Sequence, residues 1–231
     1  FQYGVFKTTL YSFSSKNNSK FFRFYDEQKK PKGALKIIES KKDKSLWISV
    51  GHFLAQKPAG QDTFALYPSI DKNIYILFED SKNELWCGTE DGLYHFTSNR
   101  LLQYRIENQP ATFPIKALLE DRAGNLWIGS EGEGLFQLQE NVLRRFSYSE
   151  GLSSNRIISL LEDNEGSIWI GSRGGKLDRL KKKKIVNYST SEGLPENYIS
   201  ALTEDKSGIL WLGTKNHGVI KFKDGHWKTI T

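Results

Sequence analysis

Four Glu-Asp pairs are the residues best suited to acid–base chemistry, because two carboxylates held together can divide the roles of proton donor and proton acceptor. They are Glu79-Asp80, Glu120-Asp121, Glu162-Asp163 and Glu204-Asp205. Adjacent residues of a β-strand point to opposite faces, so the two carboxylates of one pair do not converge. Asp also favours the start of a tight turn. We therefore expect the Asp residues to form turns and the pairs not to be catalytic.

The four histidines are the second set of residues that could do chemistry, as metal ligands or as general bases. They are His52, His95, His217 and His226, and no two are spaced like ligands one helical turn apart. The single Cys87 excludes a zinc site built from several cysteines, and no loop has the alternating acids of a calcium site. The sequence predicts no metal and no cofactor, although a site assembled from distant parts of the chain stays open.

A repeat of about 42 residues explains where these side chains stand. Each copy contains Leu or Ile, then Trp, an apolar residue or Cys, and Gly or Ser, and the Asp of each pair lies six residues before a Trp. The tryptophans are Trp47, Trp86, Trp127, Trp169 and Trp211, separated by 39 to 42 residues. A fixed period of this length is typical of repeat architectures.

Each repeat predicts four short strands, of which the copy at 115–155 is the clearest. Its first strand is a mostly apolar run suited to a buried position, and Asp121 to Gly124 form a tight turn. The predicted strands are 115–119, 125–129, 134–138 and 142–146. No segment has a sustained helical period with caps. Four strands per repeat predict an all-β fold, a β-propeller of four-stranded blades.

The period divides residues 1–231, taken as a single propeller segment, into five blades and a partial one. We expect the segment to be part of a larger ring of seven blades, because a ring must close to hide its edge strands. The second repeat is degenerate, and its residues 52–69 are expected to form a protruding loop. The predicted units are a partial blade at 1–34, the degenerate blade with a loop insertion at 35–72, and blades at 73–114, 115–155, 156–197 and 198–231.

Two features that invite a binding role have structural interpretations that we favour. A Trp at one fixed place in every repeat suits packing between blades better than stacking on sugars. The run Lys181 to Lys184 falls at a predicted hairpin on the rim, where Lys commonly guards a sheet edge. Its alternative is an anionic partner, in keeping with a net charge of +6. Nucleic acid is not expected, because no aromatic platform accompanies the run.

The repeated phrase Leu-Trp-Ile-Gly-Ser, then Gly-Leu-aromatic, an outer Tyr or Phe, and Glu-Gly-Leu resembles the two-component regulator propeller repeat. The resemblance is clearest at 127–155 and 169–197, strong over 73–231 and weak over 1–72. It implies the periplasmic or otherwise extracytoplasmic sensor of a bacterial inner-membrane signalling protein. The output module, a histidine kinase, a diguanylate cyclase or another, would lie outside this chain. The resemblance further implies an oligo- or polysaccharide ligand.

The ligand-binding residues are expected on loops at one face, where the repeats differ while the core positions agree. These loops join the second strand to the third, and one blade to the next. The candidates are Glu90, Asp91, Glu131, Glu133, Arg156, Arg173, Tyr198, Lys215, Asn216 and His217. Polar, charged and aromatic side chains that converge there would suit a glycan. Ordinary variability of surface loops is the alternative explanation for the differences between repeats.

The sequence predicts a non-catalytic ligand-sensing propeller. Its partners would be the remaining blades and the signalling module of the same protein. A second copy of the chain, forming a homodimer, is a further candidate partner. No segment of this chain is apolar enough to insert in a membrane. Two alternatives stay open, namely a lyase-like propeller enzyme with a site assembled across blades, and a scaffold that binds only protein.

Overall fold

A computed structural model gives the arrangement of the chain, and its strands fall into consecutive antiparallel sheets in chain order. It describes residues 11–14, 20–25, 31–32, 36–61, 63–67, 70–105, 112–140, 142–174, 176–181 and 184–230. Among the described residues five sheets have four strands each, and within each sheet every strand pairs with its neighbour in the sequence. The predicted all-β propeller of four-stranded blades is confirmed. The number of blades in a complete ring stays a prediction.

The sheets are named here by their strands. The strands are β1 (Tyr11–Ser14), β2 (Lys20–Tyr25), β3 (Pro31–Lys32), β4 (Lys36–Glu39), β5 (Leu46–Val50), β6 (Phe53–Lys57), β7 (Ala65–Tyr67), β8 (Ile74–Glu79), β9 (Leu85–Thr89), β10 (Leu93–Thr97), β11 (Arg100–Tyr104), β12 (Ile115–Glu120), β13 (Leu126–Ser130), β14 (Leu135–Gln139), β15 (Val142–Phe146), β16 (Ile157–Glu162), β17 (Ile168–Ser172), β18 (Leu177–Lys181), β19 (Lys184–Tyr188), β20 (Ile199–Glu204), β21 (Leu210–Thr214), β22 (Val219–Lys223) and β23 (His226–Ile230). Blade I is β4–β7, blade II β8–β11, blade III β12–β15, blade IV β16–β19 and blade V β20–β23. One-turn 3-10 helices at Tyr148–Glu150 and Thr190–Glu192 follow the outer strands of blades III and IV.

In blades I to IV the tryptophan packs against the blade that follows it, so the core lies between blades. Trp169 of blade IV is 2% exposed and contacts Leu210 and Phe222 of blade V, with 5.9 Å between the Trp169 and Phe222 ring centroids. Trp211 of blade V is half-buried. The packing interpretation of the tryptophan series is therefore confirmed, and burial of such large side chains supplies much of the adhesion between blades.

In blades II to IV, the Gly two residues after Trp lets neighbouring blades approach closely. A Cβ at Gly171 of blade IV would lie 2.2 Å from Ser159 Oγ and 2.9 Å from Ile199 O, the latter in blade V. A Cβ at Gly129 would lie 2.8 Å from Ile157 Cγ2 of the following blade. No side chain fits at these distances, so the repeat needs Gly for packing rather than for a turn.

Blade I departs from the loop predicted for 52–69. Residues 53–57 and 65–67 are strands β6 and β7, which pair as the third and fourth strands of a regular blade. The apolar residues Leu54 and Ala55 are fully buried there, and this burial favours a strand over a loop. The loop is thus confined to the segment between β6 and β7, and the predicted insertion is wrong in extent.

The range of the predicted partial blade is described only in part. Within 1–34 the structure describes β1, β2 and β3, which form one antiparallel sheet. The other residues of that range lie outside the described part of the chain. No helix among the described residues is long and apolar enough to cross a bilayer.

Candidate ligand-binding surface

A β-bulge near the start of the first strand turns one side chain out of the ladder in blades II to V. In blade III the pairing with β13 shifts between Ile115 and Ala117, which leaves Lys116 unpaired. The equivalent residues in the other blades are Tyr75, Ile158 and Ser200. Bulges re-aim side chains and are common next to functional sites. The first strands of blades II to V contact one another in sequence order, so these side chains lie on the inner side of the blades.

In blades II to IV, the residue that follows the second strand lies beside the start of the first strand. The backbone N–H of Glu131 donates to Pro114 O over 2.8 Å, and that of Arg173 donates to Arg156 O over 2.8 Å. Glu90 binds Asn73 O in the same way over 3.1 Å. Bulge residues and loop residues of several blades therefore meet. We call this the axial surface, and its members are Tyr75, Glu90, Lys116, Glu131, Arg156, Arg173, Tyr198 and Lys215.

Glu131 is the centre of the axial surface, with three cationic neighbours. Its Oε1 atom lies 2.7 Å from Arg173 Nη1 and 3.0 Å from Arg156 Nη2, and its Oε2 atom lies 3.6 Å from Lys116 Nζ. The two arginines belong to blade IV, whereas Glu131 and Lys116 belong to blade III. Partial burial opposes ionisation of Glu131, but the three cations outweigh it and hold its pKa below the usual value.

The axial surface shifts the ionisation of its other members as well. Burial lowers the pKa of Lys116, with Glu131 acting in the opposite direction. Burial also raises the pKa of Tyr75, helped by Glu90 and Glu131. Both shifts place ionisable groups in surroundings with less water than the open surface. The charge of the ammonium is partly met by the aromatic ring, because Lys116 Nζ lies 3.0 Å from the Tyr75 ring centroid.

Tyr198 connects the basic side chains of blades IV and V. Arg173 Cζ and Lys215 Nζ each lie 5.8 Å from its ring centroid. Tyr198 is half-buried, Arg173 retains 41% of its side-chain exposure, and Lys215 is exposed. A ring and two cations that are all open to solvent can contact a ligand directly.

The sequence matches the family described as two component regulator propeller over residues 109–132, 151–174 and 193–216. Each matched stretch runs from the segment before an inner strand through the Trp strand to the start of the loop after it. These three stretches are two-component regulator propeller repeats. No curated protein matches this sequence.

Solved structures share the fold of these regulator propeller repeats. The extracellular domain of a protein described as a hybrid two component system from B. thetaiotaomicron is 19% identical with a TM-score of 0.75, and the comparison covers 95% of this chain and 36% of that one. The chain thus spans about a third of that relative. Virginiamycin B lyase from Staphylococcus aureus is 12% identical with a TM-score of 0.70, covering 96% of this chain and 84% of that one. A gluconolactonase from Xanthomonas campestris has a TM-score of 0.63 at 12% identity, covering 93% and 80%.

Four of the predicted site residues are engaged by neighbouring side chains. The Asp91 carboxylate accepts a hydrogen bond from the Thr89 hydroxyl over 2.9 Å, and Glu133 pairs with Arg145 at 2.7 Å. Asn216 and His217 both bind the buried carboxylate of Glu196, with Asn216 N donating to Oε2 over 2.7 Å. These contacts shape the loops next to the axial surface. The other six predicted residues, Glu90, Glu131, Arg156, Arg173, Tyr198 and Lys215, belong to the axial surface itself.

The four histidines have four different environments. His95 stacks on Trp86 with 4.4 Å between ring centroids, His52 lies against Phe53, and His226 Nδ1 is 2.8 Å from Asp224 O. His217 contacts Glu196 as described. Among the described residues no three His, Cys, Asp or Glu side chains are grouped to hold a metal. Cys87 is fully buried, and burial raises the pKa of its thiol.

The Glu-Asp pairs have structural partners that explain both residues. In blade IV, Asp163 Oδ2 accepts the indole N–H of Trp169 over 2.8 Å, while Asp163 Oδ1 accepts two backbone N–H groups of the turn. The expected role of Asp in turns is thus confirmed. Its Glu neighbour reaches the preceding blade, since Glu162 Oε2 accepts the backbone N–H of Arg122 over 2.9 Å. The Glu contact between blades was not predicted from the sequence.

Two other predictions are located by the structure. Lys181 pairs with Lys184 across the β18–β19 hairpin, as expected, while Lys182 and Lys183 lie outside the described residues.

Sequence reasoning missed Tyr75 and Lys116. Their signal was present, because this second position of the inner strand holds Tyr, Lys, Ile and Ser in the four blades while the flanking positions stay mostly apolar.

Proposed function

We propose that this chain is a non-catalytic, ligand-sensing segment of the periplasmic or extracytoplasmic propeller of a bacterial inner-membrane signalling protein. The regulator propeller repeats and the likeness to an extracellular domain of a hybrid two component system support this proposal. The observation that carries it is the axial surface. There four blades with nearly identical cores present different side chains to one region, as a recognition surface requires.

The ligand is an oligo- or polysaccharide. Tyr75 and Tyr198 offer aromatic rings, and they are flanked by carboxylate, ammonium and guanidinium groups. Rings that pack on a sugar face, together with charged groups that bind its hydroxyls, are the two contacts that a glycan needs.

The partners of the segment are the remaining blades and the signalling module of the same protein. Support for further blades comes from blade V. Trp211 is half-buried, whereas Trp127 and Trp169, which have a following blade, are 3% and 2% exposed. Ligand binding that changes the contacts of these partners would pass the signal onward.

A glycan panel tested by thermal unfolding checks this function. A glycan present at about a hundred times its Kd stabilises the folded state by about 2.7 kcal/mol, which raises the midpoint of a chain this size by about 5–10 °C. Tyr198→Ala should abolish the shift. The matched control is Tyr148→Ala, since Tyr148 is 63% exposed in the 3-10 helix after β15 and lies outside the axial surface. If no glycan shifts the midpoint, or if both variants respond alike, the proposal fails.

A further inference from the structure

We infer that the axial surface recognises a carbohydrate that bears carboxylate or sulfate groups, and that its acidic group lies against Arg156, Arg173 and Lys215. This inference rests on the proposed function and specifies the chemical class of the ligand. It follows from the charges, the contacts and the exposure of this surface.

The axial surface carries more positive than negative charge. Its cations outnumber its two carboxylates, Glu90 and Glu131. The cations are Lys116, Arg156, Arg173 and Lys215. Glu131 forms ion pairs with three of these cations. The fourth, Lys215, forms no ion pair within the described part of the chain. The excess of two positive charges in one region repels itself and attracts an anionic ligand.

The charge is graded along the surface. The residue after the second strand is Glu90 in blade II and Glu131 in blade III, but it is Arg173 in blade IV and Lys215 in blade V. Glu90 is already engaged with Asn73, whose side-chain Nδ2 donates to it over 2.9 Å. An acidic group is therefore drawn to the end formed by blades IV and V, and the ligand acquires a direction.

The groups at that end suit an acidic sugar. Arg156 and Arg173 use one terminal nitrogen each on Glu131, and their side chains are 53% and 41% exposed. A guanidinium presents a planar fork that matches a carboxylate or sulfate. Tyr198 lies within 5.8 Å of both Arg173 and Lys215, so a sugar ring packed on it would hold its acidic substituent between the two cations.

Titration calorimetry on the full chain tests the inference with three probes of equal length: an oligogalacturonate, a heparin-derived oligosaccharide and a neutral xylo-oligosaccharide. The two acidic probes separate carboxylate from sulfate recognition. We expect at least one acidic probe to bind about tenfold or more tightly than the neutral probe, with an affinity that falls as salt is added. Arg156→Gln and Arg173→Gln should each weaken acidic binding about tenfold.

The matched control is Arg144→Gln, which removes the same charge from an exposed position on β15. Glu131→Gln provides a second test that does not depend on losing a cation, because it should strengthen acidic binding. Equal binding of acidic and neutral probes, with loss in Tyr198→Ala, would overturn the inference and leave the proposed function standing. An Arg144→Gln loss equal to that of Arg173→Gln would also overturn it. No binding by any of the three probes would also overturn the inference, whereas the proposed function is decided by the glycan panel.

Discussion

The indole N–H of Trp169 donates a hydrogen bond to the carboxylate of Asp163, with 2.8 Å between Nε1 and Oδ2. The same bond joins Asp80 to Trp86 and Asp121 to Trp127, in each case across six residues. It ties the turn of a blade to the side chain that packs on the next blade. Turn formation and packing between blades are thereby coupled through one carboxylate.

Replacing this carboxylate should cost more in a blade with neighbours on both sides than in blade V. Asp163 also pairs with Arg179 at 2.7 Å and is 5% exposed. Asp163→Ala therefore removes the carboxylate that binds both a half-buried guanidinium and the Trp169 N–H. We expect a loss of about 3 kcal/mol in the free energy of unfolding. Asp205→Ala removes the equivalent bond to the half-buried Trp211 and should cost about 1 kcal/mol. Urea denaturation of both variants measures the difference, and equal losses would contradict it.

The Glu of each pair should stabilise the contact between two blades. Glu79 of blade II is 8% exposed and accepts hydrogen bonds from Ser40 Oγ over 2.9 Å and from the Lys41 N–H over 2.7 Å, both in the turn of blade I. Glu79→Ala should lower the free energy of unfolding by about 2 kcal/mol, because these donors lose their acceptor. Glu79→Gln keeps an amide oxygen and should cost less.

Glu39 provides the matched control for Glu79, since it has the same position in blade I. Its side chain is 57% exposed and lies 3.3 Å from the exposed Lys44. Glu39→Ala should change the free energy of unfolding by no more than about 0.5 kcal/mol. A loss in Glu39→Ala as large as that in Glu79→Ala would show that charge, rather than the contact between blades, sets the effect.

Gly171 and Gly213 occupy one position of the repeat but differ in their surroundings. Gly171→Ala would place its Cβ 2.9 Å from the backbone oxygen of Ile199 in the next blade. At Gly213 the nearest atom to an added Cβ is Ala201 Cβ at 3.3 Å, within the same blade. We expect Gly171→Ala to cost about 3 kcal/mol and Gly213→Ala less than about 1 kcal/mol. Thermal unfolding compares the two, and a tolerated Gly171→Ala would mean that the blades can move apart.

Asp178 should make the stability of the protein depend on pH. It is fully buried, and burial raises its pKa above 3.8, although hydrogen bonds from Asn187 and Ser153 act against the rise. The folded state therefore holds the proton more tightly than the unfolded chain does. The resulting stability is complete below the unfolded pKa and is lost as pH rises through the folded pKa.

Asp178→Asn removes this titration and isolates its effect. The free energy of unfolding of the parent should fall relative to that of the variant as pH rises from about 4 to about 7. Parallel pH profiles for the two proteins would show that Asp178 titrates at the same pH when folded and unfolded.

The repeat predicted the fold well, because the residues that pack between blades recur at fixed positions. The structural roles of Trp, Gly and Asp can be predicted from the repeat, as the contacts of Trp169, Gly171 and Asp163 illustrate. The surroundings of Glu131 could not be predicted to the same depth. Its loop was identified from the sequence. Its three cationic partners come from two blades, and they lie up to 42 residues from Glu131 in the sequence.

Lys116 and Tyr75 show a second limit of the sequence. They stand in strands that are otherwise apolar, and only the register shift of a bulge separates them from the ladder. The shift depends on how two backbones pair rather than on residue type. Asp91 and Glu133 show the converse. They resemble their neighbours Glu90 and Glu131 in chemistry, but Thr89 at the end of β9 and Arg145 on β15 engage them.

The bulges also have a consequence for engineering. Tyr75, Lys116, Ile158 and Ser200 lie at positions where the ladder is already interrupted. A combinatorial library that varies these four codons would leave the Trp, Gly and Asp contacts between blades untouched. Variants from such a library should keep their expression level while changing what they bind, so the propeller would serve as a scaffold for evolving new specificities.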